Sequence, residues 1–259
     1  MSHEGIHVHQ DGPTDAPALL LIHGTGASAR YWDPMVPLLT GAHHVIRIDL
    51  LGCGSSPVPE DGNYAVPHQA RLVGAALDRL GVTHVTAVGH SSGGAFATAL
   101  AETHPDLVTA LVLINTGPDL SAYTATDVPF PATPWDELTD DQIRQAISGA
   151  FAPGFEIPQT LVDQFRTTDL AVFGQISQAF RSYLDELPLP PRLTPLGKPL
   201  LVLFGEQDRR WRPSSAGDYL TVSGATVTML PDVGHSPNVE SPSRTAAHLL
   251  AFTTALRGE

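Results

Sequence analysis

One stretch decides the fold: Val85-Thr86-Ala87-Val88-Gly89-His90-Ser91-Ser92-Gly93-Gly94. Val85 to Val88 is a short apolar run that reads as a buried strand, and the residues from Ser92 to Thr103 have helical spacing. Between them, Gly89-x-Ser91-x-Gly93 compresses the change of direction into a tight, strained turn. The glycines omit the side chains that would hold the helix and a neighbouring strand apart. The Ser91 hydroxyl is thereby presented above the sheet edge. The same turn aims the Ser92 amide, at a helix N-terminus, towards any negative charge that develops beside the serine. Ser91 is a candidate nucleophile.

Outward from this stretch, similar apolar runs recur at Ala18 to Ile22, Val45 to Ile48, Leu111 to Ile114, Leu200 to Phe204 and Val227 to Leu230. Runs that are continuously apolar predict strands covered on both faces. Helical spacing intervenes at Ala65 to Leu80, with Leu72, Ala76 and Leu80 on one face, and returns at Ser241 to Leu256. The expected fold is α/β: a doubly wound, mostly parallel sheet with helices on both faces. Gly5 to Gln10 is expected to add an antiparallel strand.

The alternation stops between about Thr116 and Lys198. Pro118, Pro129, Pro131 and Pro134 make the beginning irregular. Thr139-Asp140-Asp141-Gln142 reads as a capping box that opens a helix. Pro158 suits the first residue of a second helix, and Asp169 the cap of a third, running to about Leu187. Pro188, Pro190, Pro191 and Pro195 lead to the next strand. We therefore expect a core of residues 1–116 and 199–259, with 117–198 inserted as a helical lid. Phe151, Phe155, Phe165, Phe173, Phe180 and Tyr183 are spread over the lid, and a subset should line a pocket.

Two further residues complete a chemical constellation. Asp208, in Gly205-Glu206-Gln207-Asp208, follows the fifth strong strand; His235, in Gly234-His235-Ser236-Pro237, follows the sixth. Ser91, Asp208 and His235 all fall at carboxyl ends of strands, where open α/β sheets bind ligands. A serine beside a histidine oriented by an acid is the arrangement of nucleophilic acyl transfer. Asp232 and Asp119 are competing acids, whereas Asn115 does not ionise. His23-Gly24-Thr25-Gly26 follows the first strong strand, and the Thr25 amide is expected to join that of Ser92 in an oxyanion hole. Gly24, His90 and Trp135 are candidate substrate-binding residues. His23 reads as structural, hydrogen-bonded beneath the turn.

Composition bounds the alternatives. Of 259 residues, 42% are apolar, which suits a large core, and the net charge of -13 opposes nucleic acid and anionic membranes as partners. A small-molecule substrate is the expected partner. The single cysteine, Cys53, cannot form an internal disulfide. Met1 to Gly5 has no secretory character, so a cytoplasmic location is expected. No dinucleotide or Walker pattern appears, His43-His44 lacks ligand spacing, and neither cofactor nor metal is expected.

These elements, together with Asp49-Leu50-Leu51-Gly52-Cys53-Gly54-Ser55-Ser56 and Glu240-Ser241-Pro242, resemble the α/β-hydrolase superfamily over nearly the whole chain. The resemblance implies a serine hydrolase with Ser91 as nucleophile, His235 as base and Asp208 as its orienting acid. Ser91 argues against the members that carry an aspartate nucleophile. The leading expectation is hydrolysis of an ester or lactone of a small-to-medium neutral substrate. Carbon–carbon bond or thioester cleavage could use the same groups, and some proteins on this scaffold bind or shape a ligand without hydrolysis. The neutral preference rests on eleven acids against five bases between Gly117 and Lys198. Arg209, Arg210 and Arg212 around Trp211 point the other way: the favoured account is a solvated turn pairing with the acidic lid, and the other is an anchor for one carboxylate or a carrier-bound phosphate.

Overall fold

The computed structural model describes residues 5–125 and 134–258. Met1 to Glu4, Asp127, Pro129 and Pro131, which entered the sequence reading, lie outside the described residues. Seven strands form one sheet: β1 (His7–Asp11), β2 (Ala18–Ile22), β3 (His44–Asp49), β4 (Val85–His90), β5 (Val108–Ile114), β6 (Leu200–Gly205) and β7 (Ala225–Leu230). Their order is β1-β3-β2-β4-β5-β6-β7, with β1 antiparallel to β3 and every other pair parallel.

The central strands β2, β4, β5 and β6 are largely apolar because alternate residues enter different cores. Leu20, Ile22, Ile46, Ile48, Leu111 and Leu113 face one way, onto the helices Val66–Arg79 and Gly93–Thr103. Leu19, Leu21, Val45, Val88, Val112 and Ile114 face the other, onto Trp32, Met35 and Leu39 and onto Ala246 and Leu249 of the helix Pro242–Ala255. Each such leucine or isoleucine contributes about 1.5–3 kcal/mol when fully buried. In the Val66–Arg79 helix the buried stripe runs through Ala70, Val73, Ala76 and Leu77. The expected stripe of Leu72, Ala76 and Leu80 is rotated from this, and Leu72 and Leu80 are only half-buried.

β2 pairs with β3 on one side and β4 on the other. The chain reverses its winding there, opening a crevice at the carboxyl ends of β2 and β4. Over that edge stand the helices Asp140–Ile147, Gln159–Arg166 and Leu170–Glu186. Thr139 and Gln142 form the expected capping box, and Asp169 caps the third helix through the amides of Ala171 and Val172. Pro158 is the residue before its helix, one position earlier than expected. Leu189–Leu193, with its prolines in the first turn, is a short helix. Among the described residues, no helix is long and apolar enough to cross a membrane.

Candidate active site

Ser91 takes φ = 55°, a left-handed conformation that side chains other than glycine rarely adopt. The turn persists because its surroundings overdetermine it. The Ser91 amide donates to Ile114 O at 2.9 Å, extending the pairing of β4 with β5 beyond the strand. A Cβ on Gly89 would lie 2.4 Å from Gly93 backbone atoms, and one on Gly93 would lie 2.4 Å from Ile22 O. Both contacts are impossible for a real side chain, so the sharp turn requires glycine at both places.

Ser91, His235 and Asp208 come together although 144 and 27 positions separate the bonded pairs. His235 Nδ1 donates to Asp208 Oδ2 at 2.9 Å. Because that nitrogen carries the proton in the neutral ring, Nε2 is the acceptor, and it lies 2.9 Å from Ser91 Oγ. His235 and Asp208 are buried, whereas Ser91 is partly open to a cavity. Burial pushes the Asp208 carboxyl upward. The adjacent His235 and the hydrogen bonds from His235, Asn115 and the Arg210 amide outweigh that, so the carboxyl stays below its ordinary value. Asp208 Oδ1 accepts from the Arg210 and Trp211 amides at 2.7 and 3.1 Å. Of the competing acids, Asp232 is exposed, and Asp119 caps a short turn at the Ser121 amide.

His90 lines the cavity but is chemically quiet. Its Nε2 donates to His235 O at 2.8 Å, and burial, reinforced by His235, pushes its pKa down to about 3. His23 is fully buried, where its Nδ1 donates to Gly24 O and its Nε2 accepts from the Leu50 amide. It braces the turn carrying Gly24 and Thr25. Gly24 and Trp135 also line the cavity.

The expected oxyanion hole is modified by a side chain. The Thr25 amide donates to Ser92 Oγ at 2.8 Å, and Thr25 Oγ1 meets the same oxygen at 2.9 Å. One of the two expected donors is therefore engaged by the residue after Ser91. The Ser92 amide precedes the first turn of the Gly93–Thr103 helix, where no intrahelical carbonyl can accept it.

Two residues to which the sequence reading gave no positioning role hold this arrangement. Asn115, buried at φ = 46°, donates Nδ2 to Asp208 Oδ2 at 2.7 Å and to Gly234 O at 3.1 Å, while its Oδ1 accepts from the Gly205 amide. Its position at the end of a central strand was the available signal. Glu240 accepts from the amides of Gly234, Ser236 and Ala152, binding the His235 loop to the helical segment above it. Ser236 adds a bond to Ala150 O, and Tyr31 donates to Ser236.

The cavity has a volume of about 640 Å³. The helical segment contributes Trp135, Phe165, Phe173 and Phe180 to its wall. Phe151 and Phe155 instead stack on each other, and Tyr183 bonds to Glu102. Elsewhere, His7, His9 and Asp49 present possible metal-ligand atoms within 4.8 Å of one another. The Asp49 oxygens already accept from the Ala29 and Ser55 amides, which makes that carboxylate part of a turn.

Known proteins place this architecture. One curated relative is a provisionally named carbamate hydrolase, RutD, of Variovorax paradoxus (strain S110), 38% identical over 121 residues. That alignment covers 46% of each protein, so the chain spans less than half the length of this relative. The structure matches a membrane phospholipase A described as a bacterial virulence factor, with TM-score 0.82 and 29% identity, over 98% of this chain and 84% of the other. It also matches the enol-lactonase from Burkholderia xenovorans LB400, with TM-score 0.78 over 96% of both chains; at 24% identity this likeness concerns the fold alone. The profile of the alpha/beta hydrolase fold matches residues 17–168, more than half of the sequence, and the chain belongs to that family.

Proposed function

We propose that this hydrolase cleaves a carboxylic ester or lactone through an acyl-enzyme on Ser91. The observation carrying the proposal is the unbroken series Ser91 Oγ, His235 Nε2, His235 Nδ1 and Asp208 Oδ2, with 2.9 Å at each hydrogen bond. His235 takes the Ser91 proton as Oγ attacks the carbonyl, and returns it to the leaving oxygen. Water then repeats the sequence on the acyl group. Asp208 fixes the tautomer and stabilises the imidazolium.

In this reading the oxyanion forms against the amides of Ser92 and Thr25. The Thr25 amide leaves Ser92 Oγ as charge develops, because an ionised oxygen is a stronger acceptor than a hydroxyl. The described residues of 117–198 act as a lid: Trp135, Phe165, Phe173 and Phe180 shape the acyl pocket, while Ala150 and Ala152 tie the segment to the His235 loop. The partial likeness to a named carbamate hydrolase favours a second reading, in which the attacked carbonyl belongs to a carbamate. Nucleophile, base and acid keep the same roles there.

The test is steady-state turnover of p-nitrophenyl acetate across pH. Only neutral His235 accepts the serine proton, and Asp208 remains ionised through mild acid because its pKa is lowered. The rate should therefore have one acid limb, falling roughly tenfold per pH unit. A flat profile down to pH values where histidines are protonated would remove His235 as the base, and absence of turnover would remove the ester reading.

A further inference from the structure

The chain is strongly acidic, with a net charge of -13. The cavity at Ser91 is not. Among the described lining residues are Arg181, Arg209 and Arg210, and none is Asp or Glu. Among the described residues, the acids of the helical segment that pair with arginine do so elsewhere: Asp141 with Arg144, Asp140 with Arg166, and Glu186 with Arg192. Among the described residues neither Arg209 nor Arg210 has an ion-pair partner, so no pairing of this turn with the acids of the lid is found among them.

The two side chains leave a fixed platform. The Arg210 and Trp211 amides are bonded to Asp208, and Trp211 is packed so closely against Gly117 that an added Cβ there would lie 2.0 Å from its ring. Arg210 Nη2 stands 3.5 Å from Tyr123 Oη, and its charge acts on the Tyr31 phenol, which also lines the cavity. Arg209 Nη2 reaches to 3.9 Å from a Cβ built on Gly149, in the wall contributed by the helical segment. Leu170, Phe173 and Phe180 make other parts of the wall apolar. A guanidinium beside such surface attracts an anion more strongly than it does in bulk water, and its planar fork matches a carboxylate.

Resting on the acyl-transfer reading of Ser91, we propose that the natural substrate carries a carboxylate besides the bond that is cleaved, and that Arg209 and Arg210 bind it. The substrate class is then the half-esters of dicarboxylic acids, or lactones bearing a free carboxylate. Because the arginines share a turn with Asp208, the carboxylate is held at a set distance from Ser91. This binding orients the carbonyl and favours such substrates over neutral esters of equal length.

The test compares mono-p-nitrophenyl glutarate with p-nitrophenyl pentanoate, at constant ionic strength, in the wild type and in Arg209→Gln/Arg210→Gln. Within each protein the ratio of the two kcat/KM values is read, so that effects common to both esters cancel. The wild type should favour the half-ester by roughly ten- to hundredfold, the range of a hydrogen bond to a charged group, and the double variant should lose that preference. Equal rates in the wild type, or a preference that survives in the variant, would overturn the proposal. Glutarate titrated calorimetrically separates this failure from failure of the ester reading, since it needs no turnover. Heat in the wild type that disappears in the variant supports the arginine site even if neither ester reacts; no heat in the wild type counts against it.

Discussion

Ser91→Ala should lower ester turnover by about a millionfold, the usual consequence of removing a nucleophile whose partners work as a unit. The fold should survive. Alanine at φ = 55° bears much the same backbone strain as serine, and the Ser91 amide keeps its bond to Ile114 O. Ser91 is only partly buried, and its hydroxyl meets His235 rather than the core. Thermal unfolding should accordingly shift by only a few degrees. A variant that retains full activity would exclude Ser91, and with it the acyl-enzyme; one that fails to fold would be replaced by Ser91→Cys, which keeps a nucleophilic atom in place.

Asp208→Asn should have the second largest effect, a fall in kcat of about 10³- to 10⁴-fold. All four hydrogen bonds to this carboxylate come from donors: His235 Nδ1, Asn115 Nδ2 and the amides of Arg210 and Trp211. An asparagine side chain has one acceptor oxygen. Whichever way it turns, its NH2 group faces two donors. If it faces His235, the imidazole is driven to the wrong tautomer and Nε2 can no longer accept the Ser91 proton. If it faces the Arg210 turn, the platform of the two arginines loosens. Stability should fall by about 1–3 kcal/mol, the cost of leaving buried partners unsatisfied, measurable by urea denaturation. Unchanged kcat would show that Asp208 does not orient the base.

The contrast between these residues and their supports explains what the sequence made legible. Ser91 and Asp208 follow strands with continuous apolar runs and His235 follows the shorter run Val227 to Leu230, so the parallel sheet brings all three to one edge. The turn at Ser91 is equally local: its glycines and its serine are adjacent in the chain. Asn115 and Glu240 were harder to recognise, because their roles depend on partners 90 and 88 positions away. Asn115 could be excluded as an acid, but its amide's capacity to bridge Asp208, Gly234 and Gly205 depends on the spacing of three loops. The Ser92 hydroxyl is similar. Its amide position follows from the turn, whereas its bond to Thr25 depends on the separation of β2 and β4.

Charge was the least legible property. Counting acids and bases between Gly117 and Lys198 gives the balance of a whole segment, and a segment has two sides. Asp140 and Asp141 pair with arginines of that segment, while the cavity wall receives Arg209 and Arg210 from beyond it. The helix stripe erred for a related reason. Leu72 and Leu80 satisfy the helical spacing, but the sheet and the Gly93–Thr103 helix determine which of two apolar faces is covered.

The most direct measurement of the central claim is the site at which a fluorophosphonate attaches. The reagent phosphonylates a serine only where a base and an oxyanion hole act on it together. Ser91 and Ser92 are adjacent hydroxyls, and just one of them meets His235 Nε2. Intact-mass spectrometry followed by fragmentation should find one adduct per chain, on Ser91, with labelling lost in His235→Ala. An adduct on Ser92, or equal labelling in the His235 variant, would contradict the account.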